Sequence, residues 1–286
     1  MKKISIIIVT YNSLSLIKDC LDSIIQFNDI GDALDVIVVD NDSQDQSEMF
    51  DYIQKNYDRE FIKTYNAGVN GGYGKGNNIG IAKTDADIVI VMNPDVRFVH
   101  PVFKHIIREF EDTKLGMAGV NFIDGSSPYY FKPEYDGFYK SLFIHQYLKR
   151  RRYNSQTMYM SGSLLIFNRD AFLEAGAFDE KIFMYYEEPD ITNRILKVGK
   201  EVKWLKDLMV LHLAHGRSYN QKLIDIGYES FEYYCQKYGI DAKKKYNIRK
   251  HILSLKIIAA KIVGDKGRYD VFKNTVLSLN RHLKEL

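Results

Sequence analysis

Cysteine is nearly absent from this chain. Cys20 and Cys235 are the two thiols in 286 residues, far apart and without metal-ligand spacing. That pattern excludes a disulfide framework and fits two free thiols in a reducing compartment. Long apolar runs are missing as well. The run Ile4 to Val9 stops at polar Thr10-Tyr11-Asn12, too short for the core of a signal peptide. No stretch approaches the ~20 apolar residues of a membrane-spanning helix. Charge of one sign is scarce: the net charge of +3 makes no electrostatic case for nucleic acid. No Gly-Lys-Ser/Thr closes a glycine-rich loop, which excludes a Walker site, and no glycine fingerprint follows the first strand, which excludes a dinucleotide fold. The expected location is cytoplasmic, with room for peripheral contact at the inner face of the plasma membrane.

What is present suits a sizeable core. Hydrophobic residues make up 45% of the chain, including 21 Tyr and 16 Phe. Strand and helix patterns alternate over the first third: strand Ile4 to Val9, helix Ser13 to Phe27, strand Val36 to Val39, helix Gln46 to Tyr57, strand Phe61 to Tyr65, helix Tyr73 to Lys83, strand Ile88 to Met92. Such alternation predicts an α/β fold with a mostly parallel central sheet flanked by helices. Residues 126–156 keep no period and read as a long, partly mobile insertion, functional or disordered. Strands are expected at Ser163 to Phe167, Val202 to Leu205 and Met209 to Leu213, with a short helix at Ile191 to Val198. From Tyr219 onward the pattern is helical. Domains are therefore expected at 1–218 and 219–286, the latter a carboxyl-terminal helical extension. Its stripe Ile252, Leu255, Ile258, Ala259, Ile262 and Val263, accompanied by Lys250, Lys256, Lys261, Lys266 and Arg268, fits packing, a homodimer or an anionic membrane surface.

Ligands in open parallel sheets bind beyond the carboxyl ends of the strands. There the sequence places Thr10, Tyr11 and Asn12, then Asp40, Asn41, Asp42 and Ser43, then Asn93, Pro94 and Asp95. Asp40 can accept from a base or ribose, or simply form a turn. Asp95 can hold a hard divalent cation against a diphosphate, with Asn93 assisting, or belong to a plain Asn-Pro-Asp turn. The glycine-rich segment 70–80, with Gly72, Lys75 and Asn77, opens a helix; it either receives phosphate at the helix start or packs the helix on the sheet. Glu187, Glu188 and Asp190 crowd one helix start, and mutual repulsion suits a general base among them, although capping explains part of the charge. His212 and His215 follow an apolar strand and could ligate a metal, donate to phosphate or be structural.

Taken together and in this order, several segments resemble glycosyltransferase family 2 and its rhamnosyltransferase-like branch. They are Val9-Thr-Tyr-Asn12, Val39-Asp-Asn-Asp-Ser43, the glycine-rich 70–80, Met92-Asn-Pro-Asp95, Gly176-x-Phe-Asp-Glu180, Phe183 through Asp190 with Arg194, and Val210-x-His212. The resemblance covers roughly the first 220 residues. It implies a GT-A fold, a nucleotide-sugar donor and a divalent cation, Mg2+ or Mn2+. Under it Thr10, Tyr11, Asn12, Asp40 and Asn41 face the nucleoside, and Gly72, Lys75, Asn77, Asn93 and Arg194 also serve the donor. Asp95 and His212 belong to the metal and diphosphate, and the base falls on Glu188, with Glu187 and Asp190 as rivals. The implied activity is inverting transfer of a sugar, L-rhamnose from dTDP-rhamnose foremost, to a hydroxyl of a glycan or lipid-linked oligosaccharide in surface polysaccharide synthesis. A UDP-hexose transferase, a sugar nucleotidyltransferase and a non-catalytic nucleotide- or glycan-binding domain are the alternatives. The transferase reading requires Asp40, Asp95 and Glu188, distant in the chain, to meet at one cleft.

Overall fold

The computed structural model describes residues 1–58, 60–138, 140, 146, 150, 152–213 and 221–285. The chain divides into two compact units. The first comprises Met1–Tyr130, Tyr153–Phe183 and Glu187–His215; the second comprises Phe131–Arg152, Met184–Tyr186 and Gly216–Leu286. Residues 131–152 thus group with the carboxyl-terminal helices, a division the sequence pattern does not display.

The first unit is built on an eight-stranded sheet. In chain order the elements are β1 (Ile4–Thr10), α1 (Leu14–Gln26), β2 (Leu34–Asp40), α2 (Gln46–Asn56), β3 (Ile62–Asn66), α3 (Gly72–Ile81), β4 (Ile88–Met92), β5 (Val96–Phe98), α4 (Phe103–Glu109), β6 (Leu115–Phe122), β7 (Tyr129–Phe131), β8 (Met158–Met160), β9 (Leu164–Asn168), α5 (Arg169–Glu174), α6 (Glu187–Lys197) and β10 (Glu201–His212). The sheet order is β3-β2-β1-β4-β9-β6-β10-β5, and β7 pairs separately with β8. The periodic segments form the expected elements. The elements β5, α4, β6 and α5 went unread, being short or fully buried and so without a clear period. The two strands expected at 202–205 and 209–213 are one strand, broken in register between Trp204 and Met209. The extra residues form an irregularity that interrupts the hydrophobic alternation.

Continuous β-branched runs mark strands covered on both faces. Ile4, Ile6 and Ile8 of β1 join Ile17, Leu21 and Ile24 of α1 and Met49 and Ile53 of α2 in one core. On the opposite face Ile7 and Val39 lie against Gly80 of α3. Successive strand residues point to opposite faces, so a single run serves both layers.

The topology sends one end of each of the eight strands to one edge. Strands β1, β2, β3 and β4 run parallel, so their carboxyl ends share that edge. Strand β9 is antiparallel to β4, with Leu164 opposite Met92, so its beginning lies there too. Strand β6 is antiparallel to β9 and parallel to β10, which brings the ends of both to the same place. Strand β5 pairs antiparallel with β10 and sets Val96 opposite His212.

The second unit contains α7 (Gln221–Tyr238), α8 (Ala242–Val263) and α9 (Lys266–Glu285). Tyr228, Phe231, Cys235, Tyr246, Leu253 and Leu279 form its core. Asp241 caps α8 by accepting from Lys244 N at 2.8 Å. Within this unit Tyr234 donates to Glu134 Oε1 at 2.8 Å, which ties the 131–152 segment to α7. Both cysteines are free and buried, and burial pushes each thiol up to about 12. Among the described residues no helix is long and apolar enough to cross a membrane.

Candidate active site

The edge begins with a buried carboxylate. Asp40 is fully buried at the end of β2. It accepts from Thr10 Oγ1 at 2.9 Å, from Ser43 Oγ at 2.6 Å and from Ser43 N at 2.8 Å. Thr10 and Asp40 therefore form the floor, and a base edge would share the carboxylate with these donors. Asn12, at φ 50°, is clamped by Ser43 Oγ on its amide and by Gln44 N on its Oδ1. Tyr11 remains 54% exposed above this floor.

The glycine-rich segment packs rather than opening a phosphate cradle. The first amides of α3 are already taken: Gly72 N donates to Asn70 Oδ1 at 3.1 Å and Tyr73 N to the Phe183 carbonyl at 2.9 Å. A side chain on Gly72 would run into that same carbonyl, and its φ of 85° belongs to glycine. Asn41 donates to the Gly72 carbonyl at 2.9 Å, and buried Asn77 donates to the Tyr73 carbonyl at 2.9 Å. Gly72 and Asn77, both expected to serve the donor, take part in this packing, while Asn77 Oδ1 is buried without a hydrogen-bond partner. Half-buried Lys75 folds its stem over Gly71.

Asp95 and His212 meet as the topology requires. Asp95 Oδ2 lies 3.5 Å from His212 Nε2. Asp95 Oδ1 is buried and has no hydrogen-bond partner. Asn93, the residue expected to assist, pairs its amide with the Ser163 carbonyl at 3.0 Å, and Arg97 donates to the Pro94 carbonyl at 2.6 Å, which holds the turn. Ser163 Oγ stands 3.4 Å from His212 Nε2, while Asp124 Oδ2 stands 3.7 Å from Nδ1. A carboxylate with one oxygen, Oδ2, beside an imidazole nitrogen and the other, Oδ1, without a partner suits a divalent cation of the Mg2+ or Mn2+ kind. Among the described residues no group of three or more His, Cys, Asp or Glu closes around one point. His215 and its neighbours Gly216, Arg217 and Ser218 lie outside the described residues, as do parts of the 126–156 insertion.

The acidic helix start separates into three roles. Glu187 is 4% exposed, and Oε2 has no hydrogen-bond partner. Burial, then repulsion from Glu188, holds its carboxyl well above the ordinary carboxylate range. Glu188 is half-buried, and its Oε1 accepts from Gly162 N at 3.1 Å. The neighbouring Gly162 carbonyl accepts from Tyr73 at 2.7 Å. Burial, followed by the charge of Glu188, keeps that tyrosine protonated. Asp190 is fully buried and takes both Arg194 Nε at 3.0 Å and Nη2 at 2.7 Å. Arg194 also donates to the carbonyls of Ala175 and Ala177. Asp190, expected as a rival base, and Arg194, expected as a donor ligand, thus form an internal ion pair that also reaches the 175–177 turn.

The chain enters α6 through two consecutive aromatic residues at positive φ, Tyr185 at 71° and Tyr186 at 69°. Such conformations cost about 1–3 kcal/mol each and concentrate at functional sites. Sequence reasoning missed Tyr73, Asp124, Ser126, Gly162 and Ser163. The strand-end rule would have found Asp124 had β6 been recognised; nothing local marks Gly162.

Comparisons with known proteins bear on the family and the fold. The profile described as "Glycosyl transferase family 2" matches residues 5–176. A low-salt glycan biosynthesis hexosyltransferase, Agl10 of Haloferax volcanii, is 23% identical over 235 residues, 80% of this chain and 72% of its own. An N-acetylglucosaminyl-diphospho-decaprenol L-rhamnosyltransferase of Mycobacterium tuberculosis is 41% identical over 54 residues, 19% of this chain and 18% of its own. A mannosyltransferase of Pyrobaculum calidifontis, solved with GDP-Man and Mn2+, superposes with a TM-score of 0.66 over 99% of this chain and 87% of its own, at 14% identity. That last likeness concerns the fold, which is of the GT-A type.

Proposed function

The chain belongs to glycosyl transferase family 2 and is a nucleotide-sugar-dependent glycosyltransferase, and from that premise we propose that it transfers L-rhamnose from dTDP-rhamnose, with inversion, to a hydroxyl of a glycan or lipid-linked oligosaccharide. The observation that carries the chemistry is Glu188, half-buried and held by the amide of Gly162, whose chain neighbour Ser163 makes the contact with His212 and, through it, Asp95. Glu188 takes the proton of the acceptor hydroxyl as its oxygen attacks the anomeric carbon from the face opposite the nucleoside diphosphate. Burial, then repulsion from Glu188, raises the Glu187 carboxyl and so disfavours its sharing the role of base. Tyr11 and Asn12 offer the exposed surface for the nucleoside. Asp95 and His212 would hold a divalent cation against the donor. Such a cation, when bound, neutralises charge developing on the departing diphosphate.

Support for rhamnose comes from the 54-residue likeness to the mycobacterial rhamnosyltransferase, whose name also supplies the lipid-linked acceptor. A hexose donor is the second reading, favoured by the longer match to the haloarchaeal hexosyltransferase. Leu255, Ile258, Ile262 and Val263 are exposed on α8, which has no acidic residue between Asp241 and Asp265. A peripheral contact with anionic lipid fits that helix, on the cytoplasmic side, and a homodimer fits its apolar stripe. The deciding experiment offers dTDP-rhamnose, UDP-hexoses and GDP-mannose with a lipid-linked acceptor and follows nucleoside diphosphate release. Release from dTDP-rhamnose alone is the expected result. Release from a hexose donor instead overturns the rhamnose assignment. Asp95→Ala should lose Mn2+-dependent donor affinity, and an unchanged affinity rejects the cation role.

A further inference from the structure

The groups behind His212 decide which of its ring nitrogens carries a proton. A serine hydroxyl has one proton to donate. Ser126 Oγ donates that proton to Asp124 Oδ2. His212 Nδ1 lies 3.3 Å from the same Oγ, which has only lone pairs left. Nδ1 can therefore pair with Ser126 only by donating to it. Asp124 Oδ2 lies 3.7 Å from Nδ1 and Asp95 Oδ2 3.5 Å from Nε2, so the two carboxylates draw the proton toward opposite nitrogens and the Ser126 hydroxyl is the group that discriminates. In the neutral ring Nε2 then carries the lone pair. That atom faces Asp95 Oδ2 at 3.5 Å and Ser163 Oγ at 3.4 Å. The shell is shielded: the side chains of His212 and Asp124 are 12% and 13% exposed. Phe122 packs on the imidazole with ring centres 5.6 Å apart, which restrains its rotation.

We propose that Ser126 and Asp124 are positioning residues that lock His212 in the Nδ1-protonated tautomer and present the Nε2 lone pair, beside Asp95, to a divalent cation. The purpose of the lock is physical. A histidine can ligate only through an unprotonated nitrogen, and a ring free to exchange tautomers is ligand-competent part of the time. A carboxylate relayed to the remote nitrogen removes that loss and raises the basicity of the ligating one. The cation half of the proposal rests on the function proposed above; the tautomer half does not.

The test uses the full chain with 15N-labelled histidine. Long-range 1H–15N spectra, recorded metal-free at a pH where the imidazoles are neutral, report the tautomer of each ring, and His212→Ala assigns the signal. Mn2+ affinity is measured in parallel by EPR on wild type, Ser126→Ala and Ser126→Thr. The expected result is an Nδ1-protonated His212 in wild type and in Ser126→Thr, which keeps the hydroxyl. Ser126→Ala should show mixed tautomers and bind Mn2+ roughly 10–100-fold more weakly, the usual effect of removing such a partner. An Nε2-protonated ring in wild type overturns the proposal without recourse to any variant. So does a Ser126→Ala chain with unaltered tautomer and Mn2+ affinity. A wild-type chain with the stated tautomer and no Mn2+ binding upholds the lock and instead removes the cation from the proposed function.

Discussion

The amide of Gly162 donates to Glu188 Oε1 at 3.1 Å, and a methyl group on Gly162 would collide with that carboxylate. The loop entering β9 thereby sets the position of an acidic group 26 residues further along the chain. Gly162→Ala should displace Glu188 while leaving the core intact. Turnover is expected to fall about 100-fold, the scale of a 1 Å misplacement of a reacting group. Steady-state rates together with donor affinity check this: a loss confined to kcat is the expected signature, and wild-type kcat would remove Gly162 from the mechanism.

Glu188 and Glu187 should respond differently to the same chemical change. Glu188→Gln keeps the acceptor oxygen for Gly162 N but cannot take a proton, and a fall of about 10²–10⁴-fold in kcat is expected with donor binding retained. Glu187→Gln replaces a carboxyl whose ionisation burial disfavours and should keep most of the activity. If the two losses were exchanged, Glu187 would be the base.

The burial of Glu187 also predicts a pH dependence of stability. Its folded value is raised, by burial first and then by Glu188. Such a carboxyl favours the fold while protonated. The contribution is complete below the unfolded value, about 4.3, and is lost as pH rises through the folded one. Glu187→Gln cannot ionise, so its Tm on the alkaline side should exceed that of wild type by roughly 2–4 °C, the shift from ~1 kcal/mol in a domain of this size. Thermal scans from acid to alkaline pH read the result, and parallel Tm curves for the two proteins contradict it.

The Asp190–Arg194 clamp should matter for folding rather than for the donor. Asp190→Asn leaves a buried guanidinium without its counter-charge, a change that costs about 3–5 kcal/mol. A Tm lower by roughly 10 °C is expected, with donor affinity of the folded protein unchanged. Weaker donor binding at full stability would restore Arg194 to the binding site.

The strands β1, β2 and β4 and the helices α1, α2 and α3 were legible because each couples a clear period to a polar stop. The same logic located Thr10, Asp40 and Asp95 at strand ends, since a parallel sheet delivers every such end to one edge. It failed at β6, where Leu115–Phe122 is buried almost throughout and alternates nothing, and Asp124 was lost with it. It also failed for the glycine-rich segment, whose composition suits phosphate and close packing equally. Only the pairing of the α3 amides with Phe183 and Asn70 separates the two.

Local chemistry by itself determined that this chain forms an α/β sheet, with carboxylates and an imidazole waiting at the ends of its strands. Periodicity and polarity are properties of neighbouring residues, so they can be read one segment at a time. Which of those groups remain available was a tertiary decision. Glu187, Glu188 and Asp190 are chemically alike and adjacent. One is buried without a partner at Oε2, one is held at the edge by Gly162, and one is bound to Arg194. Burial and partnering depend on what distant segments bring to the same point, and that is settled only when the sheet closes.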